Sequence, residues 1–92
     1  MRFIKQSTKK TLLLNRDEAF DLYVKNNPVI SRLIHEIGIE IVQQAYYGND
    51  SATIHIGTDD KKVLDSIYQV LDKDGYKHSF NIVDKVLTVN IL

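Results

Sequence analysis

The sequence predicts an α+β domain in which three helices pack on one face of a small mixed or antiparallel sheet. Three observations predict this class. Apolar residues recur at helical spacing over three segments, they alternate with polar residues over three others, and glycine, asparagine or proline separates most of the segments. The predicted order is ααβαββ, and an additional strand at the amino terminus is an alternative.

The composition favours one domain over residues 1–92. A chain of 92 residues with 43% hydrophobic side chains can bury one core but cannot divide it in two. The absence of cysteine excludes disulfides, thiolate metal sites and cysteine nucleophiles, and it suits a reducing compartment. No apolar run is long enough to span a bilayer, so we expect a cytoplasmic protein without membrane contact.

Residues 1–14 have two interpretations, a basic arm or two short strands. The first sixteen residues contain five basic side chains and no acidic one, although the whole chain has zero net charge. Such a segment can hold phosphates, so nucleic-acid contact is an alternative to an ordinary solvated surface. The candidate nucleic-acid residues are Arg2, Lys5, Lys9, Lys10 and Arg16.

A first helix is predicted to begin after Asn15, because Asn15 and Glu18 have the spacing of a capping box. Its apolar stripe comprises Ala19, Phe20, Tyr23 and Val24. Pro28 ends this helix, since the residue before a proline resists helical dihedral angles.

A second helix is predicted over 29–47, with Asn27 as its N-cap and Gly48 ending it. The alternation over 37–41 also fits a strand, but a strand there would need a turn where no turn residues occur. The expected buried stripe is Ile30, Leu33, Ile34, Ile37, Ile41 and Ala45, widened by Val29, Gly38, Val42 and Tyr46.

A strand over 52–57 precedes a third helix that starts at Thr58-Asp59-Asp60, with a cap and two acids in its first turn. Gly75 fits the left-handed position of a Schellman cap, so Tyr76 should fold back on Leu71.

Two alternating runs, 77–83 and 86–92, predict a terminal hairpin around 84–85. The crossover from 52–57 to 77–83 makes those strands parallel neighbours, or parallel strands separated by one, and favours a mixed sheet. The residues expected to face the core are Ile54, Ile56, Phe80, Ile82, Leu87, Val89 and Ile91.

No catalytic or metal-binding constellation is apparent, so we expect neither an enzyme nor a cofactor. His35, His55 and His78 lie on different segments, and the local set His55, Asp59 and Asp60 is explained by helix capping. Ser51 and Ser66 have no nucleophile context, and the glycines mark the ends of elements instead of clustering around a phosphate.

Tyr46 and Tyr47 are adjacent in the second helix, so both cannot join one stripe and one should be exposed. An exposed tyrosine suits a protein interface, although a tyrosine at the rim of a core is commoner. The run 86–92 is a candidate edge strand for pairing with a partner or a second copy. The candidate interface residues are Tyr47, Val86, Thr88 and Asn90.

The helix ending at 45–49, the strand over 51–56, the helix closing at 71–76 and the terminal hairpin together resemble small accessory proteins of tailed bacteriophages. The resemblance lies in the organisation of residues 28–92. It implies a host-takeover or anti-defence protein that binds or inhibits a host factor, and it carries over no functional residue.

Two functions follow as hypotheses. The first is a non-catalytic binding protein whose partner is a host protein. A homodimer is a further expectation. The alternative is a nucleic-acid or nucleotide binder that uses the basic amino-terminal segment.

Overall fold

Within the part of the chain that the structure describes, three helices and three strands follow one another in the predicted ααβαββ order. The computed structural model describes residues 13–92, so the first twelve residues of the arm or strands predicted over 1–14 lie outside them. The elements are α1 (Arg16–Lys25), α2 (Pro28–Tyr46), β1 (Ser51–His55), α3 (Lys61–Lys73), β2 (Lys77–Asn81) and β3 (Val86–Asn90).

The N-caps of α1 and α2 form as the sequence predicts. Asn15 accepts a hydrogen bond from the Glu18 amide at 2.8 Å, and the Glu18 carboxylate accepts one from the Asn15 amide at 3.1 Å, which completes the capping box. Asn27 caps α2, with Pro28 in the first turn. In α3 the cap is Asp60 itself, so the prediction of two acids inside the first turn is wrong.

Gly75 ends α3 in the predicted Schellman motif. Its φ is 86°, and the Tyr76 amide donates to the Leu71 carbonyl at 2.9 Å while the Gly75 amide donates to the Asp72 carbonyl at 3.1 Å. Tyr76 is thereby turned back onto the core, as predicted.

The sheet has the order β1-β3-β2, and both pairings are antiparallel. β1 and β2 are therefore parallel strands separated by β3, which is one of the two predicted arrangements. Of the two sheet types predicted, mixed and antiparallel, the antiparallel one is confirmed, and the preference for a mixed sheet is wrong because the central strand runs against both neighbours. β3 is central among the described strands, so its prediction as an edge strand is also wrong.

The core lies between the sheet and α2 and α3. Ten buried apolar residues form it, and Ile67, Leu87 and Val89 have no exposed surface. Ile34 and Ile41 of α2 pack against this cluster and are half-buried. The full cluster is Leu33, Ile37, Ala52, Ile54, Ile56, Leu64, Ile67, Leu71, Leu87 and Val89.

Several residues predicted to be buried are exposed. Ile82 lies in the four-residue turn 82–85, beyond the end of β2, so it does not reach the core. Ala19 and Tyr23 of α1 are exposed, and no residue of α1 is fully buried. Phe20 and Val24 are its half-buried apolar residues, so α1 lies at the rim of the core.

Candidate functional site

Tyr46 and Tyr47, at the carboxyl end of α2, are both exposed. Their exposed fractions are 86% and 71%, and their ring centroids lie 6.0 Å apart with the planes inclined by 60°. The sequence predicted one exposed tyrosine and placed Tyr46 in the buried stripe, and this placement is wrong. Gly48 ends the helix there with a φ of 80°, and the chain turns towards β1 without covering either ring.

The other candidate interface residues, Val86, Thr88 and Asn90, lie on the face of β3 opposite the helices. Their neighbours in the strand, Leu87 and Val89, point into the core, so alternation directs these three to the open face. Their backbone belongs to a strand paired on both sides. Strand addition at β3 is therefore closed, and only the side chains are available for contact.

A groove separates the carboxyl-terminal halves of α2 and α3. It has a volume of about 260 Å³. Apolar side chains from both helices line it, and Asp74 and Tyr76 stand at the end of α3. The α2 side is formed by Ile34, Ile37, Gly38, Ile41 and Val42.

The apolar surface continues from this groove over α2. A shallower depression on the outer side of the helix shares Gly38 and Val42 with the groove and reaches Ile39. Val42 is 68% exposed, and Ile39 is exposed as well. We call Gly38, Ile39, Val42, Tyr46 and Tyr47 the α2 strip.

Sequence reasoning missed most of the α2 strip because it assigned Gly38, Val42 and Tyr46 to the widened core stripe. The signal was present in the sequence. The ten apolar positions assigned to this stripe cover more of the helix than one core contact uses. The sequence did not show which of the apolar positions would lack a neighbour.

The basic candidates do not form a patch among the described residues. Arg2, Lys5, Lys9 and Lys10 lie outside residues 13–92. Arg16 donates a hydrogen bond to Gln69 of α3 and lies 5.8 Å from the centroid of the Phe20 ring, so it helps to hold α1 in place. Residues 13–92 carry eight basic and twelve acidic side chains, a net charge of −4 with neutral histidine.

The three histidines lie on different elements. Within residues 13–92, no group of three or more histidine, aspartate or glutamate side chains is placed to hold a metal ion. His35 and His55 are exposed, whereas His78 is half-buried on the helix side of β2.

His78 takes part in a contact that the sequence analysis did not find. Its Nε2 lies 2.8 Å from Oδ1 of Asp72, and its ring stacks on Tyr68 with centroids 4.9 Å apart. The three side chains tie β2 to α3 across the Gly75 turn. The available signal was the position of Asp72 and His78 on either side of the predicted Schellman cap.

Burial of the Tyr68 hydroxyl raises its pKa above the usual value of 10.0, and the nearby Asp65 carboxylate raises it further. Tyr68 therefore favours its neutral form, consistent with its role in a packed contact between α3 and β2.

The Ser66 and Asp60 side chains have structural roles. The Ser66 hydroxyl is buried and donates to the Lys62 carbonyl at 2.8 Å, one helical turn earlier. Asp60 accepts from the Lys62 amide at 2.9 Å as the cap of α3, while the adjacent Asp59 is exposed.

None of the three helices within residues 13–92 combines the length and the apolar character that crossing a bilayer requires. Comparison of the chain with protein families, curated proteins and solved structures found no match.

Proposed function

We propose that this protein is a non-catalytic binding protein that contacts a partner protein through the α2 strip. The observation that carries the proposal is the apolar surface that Gly38, Ile39 and Val42 form along the groove and the adjoining depression, with the exposed Tyr46 and Tyr47 at the carboxyl end of the same helix. Contiguous apolar surface of this kind is typical of interaction sites, whereas single exposed apolar residues are common everywhere.

The chemistry of the α2 strip fits a protein partner. Tyrosine is enriched in interfaces because its ring supplies contact area while its hydroxyl stays hydrated. Tyr46 and Tyr47 offer two such rings at one end of the strip, and Val42 and Ile39 offer aliphatic surface next to them. A partner helix or loop with apolar anchors matches such a surface.

The whole chain has zero net charge and so offers no general attraction to a phosphate backbone, which means that the nucleic-acid alternative depends on the basic amino-terminal segment alone. The organisation that resembles phage accessory proteins supports a host factor as the partner and the cytoplasm as the location. The predicted homodimer is a separate proposal, since the strand first assigned to it is central in the sheet.

The proposal is tested by capture of partners from a bacterial lysate, with and without nuclease treatment. Val42→Glu places a charge in the α2 strip, and Val83→Glu makes the same change at an exposed valine of the 82–85 turn. We expect wild type and Val83→Glu to retain the same protein, and Val42→Glu to lose it. Circular dichroism and thermal unfolding of both variants check that the fold is intact.

Two outcomes contradict the proposal. Equal retention by both variants would exclude the α2 strip as the contact surface. Loss of all captured material after nuclease treatment, together with strong dependence on salt, would favour the nucleic-acid alternative.

A further inference from the structure

β1 is an edge strand among the described residues and pairs only with β3. At its two ends the Ile91 amide donates to the Asp50 carbonyl at 2.8 Å, and the Ile56 amide donates to the Lys85 carbonyl at 2.9 Å. Because antiparallel bonding alternates along a strand, even-numbered residues of β1 bond to β3. The backbone groups of Ser51, Thr53 and His55 therefore point away from β3, along the free side.

Within residues 13–92, the free side of β1 lacks the features that usually protect a sheet edge. The strand SATIH contains no lysine, arginine, aspartate, glutamate or proline, and its pairing with β3 runs without a bulge over five residues. The other outer strand, β2, begins with Lys77, and its His78 is bonded to Asp72 of α3. The two edges thus differ, and β1 is the one suited to pairing.

We propose that β1 pairs antiparallel with β1 of a second copy of this chain, around a twofold axis at Thr53. In this register Thr53 stands opposite Thr53 of the second copy, and Ser51 stands opposite His55. Every outward backbone amide and carbonyl of these three residues then has a partner. The result is one continuous six-stranded antiparallel sheet with an isologous interface.

The side chains of β1 suit this register on both faces of the sheet. On the open face, threonine meets threonine, a favourable cross-strand pair, and serine meets histidine without like charges. On the helix face, Ala52 stands opposite Ile54 of the second copy, a small residue against a large one. Both are buried members of the core, so the pairing extends the core across the new boundary.

The proposal does not depend on the α2 strip, because the contact is made by a sheet edge and not by that surface. A monomeric protein would leave the protein-binding proposal intact. Likewise, loss of the protein-binding proposal would leave the β1 dimer intact.

The twofold register makes a charge-swap experiment decisive. Thr53→Lys and Thr53→Glu each place like charges directly opposite one another, so each variant alone should dimerise at least tenfold more weakly than wild type. An equimolar mixture should regain the dimer, because lysine then faces glutamate. Sedimentation velocity over a concentration series measures the four dissociation constants, those of wild type, of each variant and of the mixture.

Ser79 provides the matched control. It lies in the same cross-strand row as Thr53, with Thr88 between them, and shares the open face. Ser79→Lys and Ser79→Glu should therefore leave the dissociation constant unchanged.

Amide hydrogen exchange tests the dimer on the wild-type protein, without any substitution. The amides of Ser51, Thr53 and His55 should become protected as the protein concentration rises. A wild type that is monomeric at all concentrations, a mixture that does not regain the dimer, or equal effects at Thr53 and Ser79 would overturn the proposal. Protection of these amides in a monomer would show that another segment covers β1, and would overturn it as well.

Discussion

At the scale of single residues, Gly75 and Gly38 show that the effect of a glycine on stability depends on its backbone conformation. Gly75 has a φ of 86°, which an L-residue adopts only with strain, whereas Gly38 lies within α2 and has no positive φ. A Cβ added at either position meets no atom within 4 Å. Backbone conformation alone therefore decides the effect of alanine at each site.

We expect Gly75→Ala to lower the free energy of unfolding by about 1 kcal/mol and Gly38→Ala to raise it by a similar amount, about 0.8 kcal/mol. Urea unfolding followed by circular dichroism measures both. The same sign for the two variants would contradict this explanation.

Tyr68 supplies a pH-dependent contribution to stability. Burial and Asp65 raise its pKa in the folded protein above 10.0, so the unfolded chain releases this proton at lower pH than the folded protein does. Its contribution is complete below pH 10 and is lost as the pH rises through the folded pKa. Tyr68→Phe should therefore reduce the decline in stability above pH 10.

Denaturant midpoints measured between pH 8 and pH 11 test this prediction, since 10.0 is the usual tyrosine value. Tyr46→Phe is the control, because that ring is 86% exposed. An unchanged alkaline decline in Tyr68→Phe would show that other groups cause it.

At the scale of elements, α1 and α2 each begin with an asparagine cap but differ in how many of their side chains are buried. α1 has a complete capping box and no fully buried side chain, whereas α2 has Ile30, Leu33 and Ile37 in the interior. Helical segments with few buried contacts open locally before the whole domain unfolds. The local sequence thus favours the helical conformation of α1, while tertiary packing stabilises α1 much less than α2.

Asn15→Ala should destabilise α1 by about 1 kcal/mol, because the Glu18 amide loses its acceptor. We expect faster amide exchange within α1 and little change in global unfolding. Asn27→Ala, the same substitution at the cap of α2, should instead lower global stability, since α2 carries part of the core. Equal effects on global unfolding would show that α1 is not a separate local unit.

At the scale of the whole molecule, the described residues present two different unpaired surfaces. The α2 strip is apolar and aromatic, while the free side of β1 offers backbone hydrogen bonds. The first suits a different protein and the second suits a copy of the same chain.

If Tyr47 is an anchor of the partner interface, Tyr47→Ala should raise the dissociation constant of the purified complex about thirtyfold, or about 2 kcal/mol, without altering the fold. Isothermal titration calorimetry measures it. Replacing Arg2, Lys5, Lys9, Lys10 and Arg16 by glutamine should change this constant little, because screened charges act mainly on the rate of encounter. A silent Tyr47→Ala with strong loss in the glutamine variant would favour nucleic-acid binding.

The sequence by itself determined the class of fold, the order of elements and most of their ends. Those features depend on local chemistry, such as the capping box at Asn15 and the left-handed glycine at position 75. Only the tertiary structure decided the order of strands in the sheet and the exposure of each apolar position. A strand with alternating apolar residues fits the edge or the centre of a sheet equally well. The sequence therefore could not show that β3 is the central strand and β1 an outer one. Likewise, helical spacing marks Val42 as apolar but cannot show whether another helix covers it, because burial depends on neighbours distant in the chain.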